Sequence, residues 1–301
     1  MILLRPQNHF FENQGRIEMD GILIVNKPKN CTSHDVVYKV KKITNQKVGH
    51  TGTLDPMATG VLPLLIGKGT LCSKYLIEHD KIYKATIQLG KRTTTSDQEG
   101  EIIEEQEVGD NALDFKYITE KLKEFLGKQI QTPPIYSAIK VNGKKLYEYA
   151  RKGQNIEVPK REIEIYEIEL LNVDKQNKKI EYKVHCSKGT YIRTLCEGIA
   201  ERLGTVGYMK ELNRTRVGDF YIENSITIEQ LEQSQYQIIT IEQFFKDEEF
   251  INLTEKGLKL FLNGVQLTYH LVDGIYRIYQ DDKFIGIGTI KNELLKRDII
   301  I

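Results

Sequence analysis

With 301 residues, 40% of them hydrophobic and 28% charged, the chain is long enough for one large domain or two of ordinary size and apolar enough to bury a core. Its longest apolar runs, such as VLPLLI at residues 61–66, fall far short of the roughly 20 residues that cross a membrane, and no charged segment followed by an apolar one opens the chain, so the cytoplasm is the expected location. The formal net charge of +1 hides segregation: residues 97–114 hold eight acids and no base, residues 140–161 seven bases against two acids, and residues 27–47 six bases against one acid, a pattern open to a solvated surface or a polyanion-binding face.

Residues 1–18 show no sustained period and are expected to form a loosely held extension, with Met19 standing directly before the first regular element. GILIV (21–25) reads as a short buried strand and NKPKN (26–30) as the turn after it. A helix is expected from Thr32, where TSHD supplies a capping-box pattern and Val36, Val37, Val40 and Ile43 recur at helical spacing. YKATIQL (83–89) alternates as a half-buried strand should, with Tyr83, Ala85, Ile87 and Leu89 on one face. Ile118, Leu122, Phe125 and Leu126 make a helix face ending at Gly127, and Ile192, Leu195, Cys196, Ile199 and Leu203 another closed by Gly204. Between them IEI (163–165) and IEYKVHC (180–186) alternate again. Irregular interleaving with hairpin-like strand pairs predicts an α+β fold built on a mixed, largely antiparallel central sheet flanked by helices. The last fifty residues change character: a small helix over 254–263, then IYRIYQ and KFIGIGTI around Asp281 and Asp282, which predict a small β-rich module. The expected division is an extension over 1–18, a main domain over 19–248 and the module over 249–301.

Several chemistries are disfavoured by spacing. GVLPLLIGKG (60–69) looks like a phosphate loop, but six residues separate its first two glycines and Lys68 is followed by Gly69 rather than Ser or Thr. The six histidines never stand at H-x-x-x-H spacing and the four cysteines never form a C-x-x-C pair, so neither a metal nor a disulfide framework is expected. What stands out is the single carboxylate of GHTGTLDPMATG (49–60). Pro56 biases Asp55 toward an extended backbone, and Gly49, Gly52 and Gly60 permit conformations that a Cβ would obstruct. An acid held on such a loop can be aimed at a substrate; the bare Asp-Pro pattern equally fits a turn acid.

The longer string GHTGTLDPMATGVLPLLIG (49–67) resembles, almost residue for residue, the catalytic motif of TruB-type tRNA pseudouridine synthases. The resemblance continues through GILIVNKPK (21–29), DKIYKATIQLGKRTTTSDQEG (80–100), TPPIYSAIKVNGKKLYEYARKG (132–153), CSKGTYIRTL (186–195 region, from Cys186) and LNRTRVG (212–218), so it spans about residues 20 to 220 in the family's order. Two departures are visible: Asn30-Cys31 stands where the family commonly has Gly-Met, and Asn213 replaces a frequent Arg. Asn is the next-best residue for a left-handed turn. The C-terminal module resembles a PUA-like RNA-binding domain in placement.

The resemblance implies isomerisation of uridine 55, in the RNA's own numbering, in the T arm loop of tRNA, without cofactor or metal, by a chain needing no protein partner and expected to be a monomer. Asp55 is then the catalytic carboxylate, acting on the anomeric carbon, on C6 of the base or as a base toward a sugar proton. Arg193 matches the active-site arginine, expected to hold the charge of Asp55. Tyr83 matches the base-stacking tyrosine and is a candidate acceptor of the C5 proton. His50 matches the histidine that fills the space left by the extruded nucleotide, Tyr191 and Leu212 line the uridine pocket, and Lys27 either orders the site or meets phosphate. Without the family, Tyr83 and Leu212 are strand-core residues, Tyr191 a helix-start aromatic and His50 a loop histidine. Two other functions compete: an RNA binder without catalysis, which has no use for a carboxylate facing phosphodiester, and a glycoside hydrolase, which ordinarily needs two acids at a defined separation.

Overall fold

The computed structural model describes residues 20–154 and 156–301; the extension expected over residues 1–18 lies outside them. Strand β1 (Gly21–Lys27) is buried along nearly its whole length and runs two residues beyond the expected strand. Asn26 and Lys27 continue it because β1 pairs with β3 (Thr59–Ile66) over all seven residues, ending with Lys27 opposite Gly60. Helix α1 (Ser33–Thr44) starts at the expected capping box: the Thr32 side chain accepts from the Asp35 N–H and the Asp35 carboxylate accepts from the Thr32 N–H. Asn45 closes it in the left-handed conformation. Val36, Val37 and Val40 are buried, whereas Ile43, expected on the same stripe, lies in the last turn outside the cluster they join and is 42% exposed.

Strand β2 (Val48–His50) pairs with β3. After the short helix α2 (Ser73–Leu76) come β4 (Lys81–Leu89), the hairpin of β5 (Lys91–Thr93) with β6 (Ile102–Glu105), helix α3 (Phe115–Lys123) and β7 (Gly127–Gln131). Helix α3 ends before the expected stop: Gly127 has φ +87 but opens β7, and Leu126 is exposed on the connection. A two-residue hairpin, β8 (Lys140–Val141) with β9 (Lys144–Lys145), leads into helix α4 (Leu146–Ala150). Strands β10 (Arg161–Asp174) and β11 (Lys179–Cys186), helix α5 (Ile192–Arg202) and strands β12 (Gly207–Val217) and β13 (Phe220–Tyr221) complete the main body with the short helices α6 (Ile228–Glu232) and α7 (Ile241–Phe244).

Among the described residues the central sheet has nine strands, in the order β1-β3-β12-β4-β11-β10-β7, with β2 added on β3 and β13 on β12. Every pairing is antiparallel except β3 with β12, where Thr59 and Gly60 lie beside Asn213 and Arg214. That junction requires a glycine: Gly60 has φ +110, and a Cβ on it would sit 2.2 Å from the Arg214 carbonyl oxygen. The close approach places the loop before β3 beside the middle of the sheet. The main core lies between the sheet and helices α3 and α5.

Residues 250–300 form a second sheet, β14 (Phe250–Asn252), β16 (Gly274–Gln280), β17 (Lys283–Lys291), β18 (Leu294–Ile300) and β15 (Leu267–Thr268) in that spatial order, with helix α8 (Glu255–Leu262) beside it. Asp281, at φ 52, makes the turn between β16 and β17. This sheet has its own apolar cluster around Phe261, Ile278 and Leu295. It also contributes Ile287 and Ile299 to a cluster containing Ile22, Val61, Leu65 and Phe245 of the main body, and Asp298 takes hydrogen bonds from Lys74 and Tyr75 of α2. No helix among the described residues is long and apolar enough to cross a membrane. All four cysteines are free, three of them buried.

Because Ile287 is fully buried in the shared cluster, Ile287→Ala should destabilise both parts together, by about 2–5 kcal/mol. Calorimetry should show one transition moved to lower temperature; a separate low-temperature transition for the module, with the main one unmoved, would contradict the shared core.

Candidate active site

The loop between β2 and β3 is pinned on both sides of its single acid. Ser33 Oγ accepts from the Leu54 N–H at 2.9 Å and donates to the Leu54 carbonyl at 3.2 Å. On the other side Lys27 Nζ donates to the carbonyls of Pro56 at 3.2 Å, Pro28 at 2.9 Å and Cys31, and the Cys31 N–H reaches the Pro56 carbonyl. Asn30 supplies the left-handed residue this turn needs, at φ 58. Lys27 is itself fully buried, so all three of its donors are spent on backbone and none is left for a phosphate: the ordering alternative fits its placement. Leu54, Met57 and Ala58 anchor the loop in the main core, and Asp55 between them stays half-buried at the wall of a cavity.

Helix α5 delivers the partner. Tyr191, just ahead of its first turn, has no side-chain cap of its own; Gln131 of β7 instead clamps its backbone, accepting from the N–H at 2.8 Å and donating to the carbonyl at 3.0 Å. Two residues on, Arg193 meets Asp55 with a fork, Nε to Oδ2 at 3.1 Å and Nη2 to Oδ1 at 3.2 Å. A cation in a first helical turn opposes the macrodipole. Here the cost is offset by the Tyr136 and Thr95 carbonyls, at 3.0 and 3.4 Å, and by Asp97, whose carboxylate lies 3.7 Å away. The Arg193 side chain is 7% exposed and that of Asp55 30%, so the arginine forms the wall and the carboxylate the surface of the site.

Burial pushes the Asp55 carboxyl above its ordinary range; Arg193 pulls it back, Asp97 pushes it up again, and Lys27 and Arg214 pull weakly down, leaving the balance upward. The arginine fork is therefore what keeps a desolvated acid ionisable.

Tyr83 on β4 and Arg214 on β12 are direct cross-strand neighbours. Tyr83 is 7% exposed, and burial pushes its phenol up to about 12 against the opposing Arg214 guanidinium, so at neutral pH it is uncharged. Arg214, 2% exposed, donates from Nε to the Val61 carbonyl at 2.8 Å and from Nη2 to the Gly52 carbonyl at 3.0 Å, tying the acid-bearing loop to the sheet. Leu212 is buried one inward position before it.

Asp55, Tyr83, Tyr191, Arg193 and Leu212 all line one cavity of about 930 Å³. His50 and Lys27 do not. His50 Nδ1 accepts from the Gly52 N–H at 3.3 Å, and burial, with Arg214 nearby, holds its imidazole below its usual range and hence neutral. Arg214 and Asp97 were not singled out from the sequence. Arg214 carried a signal, an arginine at an inward position of an alternating strand. Asp97 carried none, being one acid of an eight-acid run, yet it is 4% exposed and its carboxylate accepts from Thr95 Oγ1 at 2.6 Å and the Glu99 N–H at 3.0 Å. With its oxygens so engaged it is a counterion, not the free second acid of a hydrolase. No group of three or more metal-ligating side chains occurs among the described residues.

The site can thus offer an ionised carboxylate, a flat aromatic wall and a neutral phenol to a planar substrate of nucleoside size. Removing the guanidinium in Arg193→Met should raise the Asp55 pKa further, because the charge that pulls it down is gone. Since the acid works only when ionised, activity is lost as pH falls through that pKa; the acid limb of the kcat profile should therefore move to higher pH in the variant, and an unmoved limb would show that Arg193 does not hold this charge.

The chain is similar to known proteins over most of its length. The family model for the TruB family pseudouridylate synthase N-terminal domain matches residues 40–192, and that for the tRNA pseudouridylate synthase B C-terminal domain matches residues 193–251. A tRNA pseudouridine synthase B of Clostridium tetani is 44% identical over 92% of this chain and 98% of its own length, and one of Caldanaerobacter subterraneus is 42% identical over 93% and 98%. Among solved structures, a chain of an H/ACA RNP bound to a substrate RNA containing 2'-deoxyuridine superimposes with a TM-score of 0.66 at 23% identity, covering 94% of this chain and 86% of that one, which shows a shared fold. With both family models in tandem over most of a chain whose one loop acid is held by an arginine fork, the protein belongs to the TruB family of pseudouridylate synthases.

Proposed function

We propose that the protein isomerises uridine to pseudouridine in tRNA, at position 55 of the RNA's T arm loop, with Asp55 as the group that engages the nucleoside. The observation that carries this reading is the Asp55–Arg193 fork opening into a cavity walled by Tyr83. The reaction breaks the glycosidic C–N bond, turns the uracil and joins C5 to the ribose, with no net oxidation and no external group, so side chains alone can carry it. Attack on the anomeric carbon, attack on C6 and abstraction of a sugar proton all need a charged, desolvated carboxylate beside the nucleoside, which the fork supports.

A uridine in a folded loop must leave its stack first, at a cost of a few kcal/mol. Stacking on Tyr83, worth about 1–3 kcal/mol, offsets much of it. His50, neutral and held by the loop that carries Asp55, is the group assigned to the vacated space. The basic segment of β8, β9 and α4 suits an RNA backbone: Lys145 and Arg151 flank the Tyr147 ring at 5.4 and 5.3 Å, beside exposed Lys140, Lys144 and Lys152. Residues 19–248 then form the catalytic unit and 249–301 a PUA-like RNA-binding module, in a cytoplasmic monomer that needs no cofactor. A binder without catalysis leaves the buried arginine fork unexplained, since such a fork costs desolvation and contacts no phosphate.

Mapping pseudouridine by nucleotide after incubation with an unmodified tRNA transcript tests the assignment; modification elsewhere would keep the chemistry and overturn the position. Asp55→Asn should abolish formation while RNA binding persists, and wild-type activity in it would sink the reading. Tyr83→Phe should bind normally yet turn over slowly, because the ring remains and the hydroxyl is gone; unchanged turnover would remove its proton role.

A further inference from the structure

Arg161 opens β10 opposite Gln131, the residue that clamps Tyr191. Its guanidinium lies 5.5 Å from the centre of the Tyr191 ring and lines the same cavity as Asp55 and Tyr83. Room for it comes from Gly189, at φ +78, where a Cβ would sit 3.0 Å from Arg161 Nη1. Among the described residues this guanidinium has neither an ion-pair partner nor a hydrogen bond, and its Nε is buried. Of the acids lining the cavity, Asp55 and Asp97 pair with Arg193 and Glu162 with Lys128, and Glu99 forms no ion pair with Arg161. A second cation, Lys81, lines the cavity at 7% exposure with its ammonium bonded to the His79 carbonyl. Arg161 and Lys81 stand at one end of the sheet, where the starts of β10 and β4 flank the last residues of β11.

A half-buried guanidinium without a counterion, placed over an aromatic ring, leaves its terminal N–H donors for a planar or tetrahedral anion. We propose that Arg161, with Lys81 as the second charge, is the seat of the phosphodiester flanking the extruded uridine, and that Tyr191 acts as the platform that aims it. The assignment rests on the RNA substrate proposed above. Seating that phosphate fixes the sugar of the flipped nucleotide relative to Asp55 without touching the base, so the contact serves binding rather than chemistry.

The test is a double-mutant cycle between protein and RNA. Arg161→Gln should raise KM for a T-arm stem-loop roughly tenfold or more, as loss of a charge-assisted contact does, with kcat within about twofold. The salt dependence of its binding should lose about 0.7–0.9 from the slope of log K against log salt, the share of one phosphate. A stem-loop carrying a neutral methylphosphonate at one linkage flanking the target should penalise the wild type by a similar factor and Arg161→Gln not at all. Arg161→Lys should retain the salt slope and recover only part of KM. Additive losses at every linkage, or a fall in kcat with KM unchanged, would overturn the seat. If Arg161→Gln does not fold, the wild-type linkage scan still decides, since no sensitive flanking linkage overturns it as well. Failure of the wild type to form pseudouridine in the unmodified stem-loop strikes the substrate reading, and this assignment with it; pseudouridine with additive losses strikes the seat alone.

Discussion

The site depends on one ion pair held at the boundary between core and cavity. Asp55 must be dry enough to engage a nucleoside and charged enough to react, and these demands conflict because burial favours the neutral acid. Arg193 resolves the conflict by presenting two nitrogens to two oxygens from a position deeper in the protein than the acid itself. Its own burial is made tolerable by Asp97 and two carbonyls contributed by separate segments. The charge balance is thus met by residues from four parts of the chain, and the exposed end of the network is the carboxylate.

Holding that geometry is the work of the sheet. The parallel contact between β3 and β12 is short, and Gly60 lets the two backbones approach so that Arg214 can reach both Val61 and Gly52. Lys27 and Ser33 fasten the same loop from the other side. The result is a reactive residue on a loop whose backbone is nonetheless as fixed as a strand, so little reorganisation remains at the moment of reaction.

Much of the architecture was legible from local rules. The capping box at Thr32, the alternation of β4, β10 and β11, the glycine stop after α5 and the hairpin at Asp281 appear where period and turn chemistry predict them. Where local rules failed, a tertiary contact decided: pairing with β3 drew Asn26 and Lys27 into β1, and the strand beginning at Gly127 shortened α3. Ile43 kept its helical spacing but stayed outside the cluster and 42% exposed, because amphipathic period sets a direction without supplying a neighbour.

The sequence by itself determined the elements, the resemblance to a family and the identity of the lone acid, because strand period, capping and motif are properties of neighbouring residues. The resemblance already implied Arg193 as its partner; only the tertiary structure decided the geometry of that pair and the counterion behind it. Arg193 and Asp97 lie 138 and 42 residues from Asp55 by number, and an acid in an eight-acid run cannot be told from its solvated neighbours until the fold buries one of them. The same holds for Arg161, an ordinary basic residue in a basic stretch until Gly189 and Tyr191 gather around it and none of the cavity's carboxylates is found to pair with it.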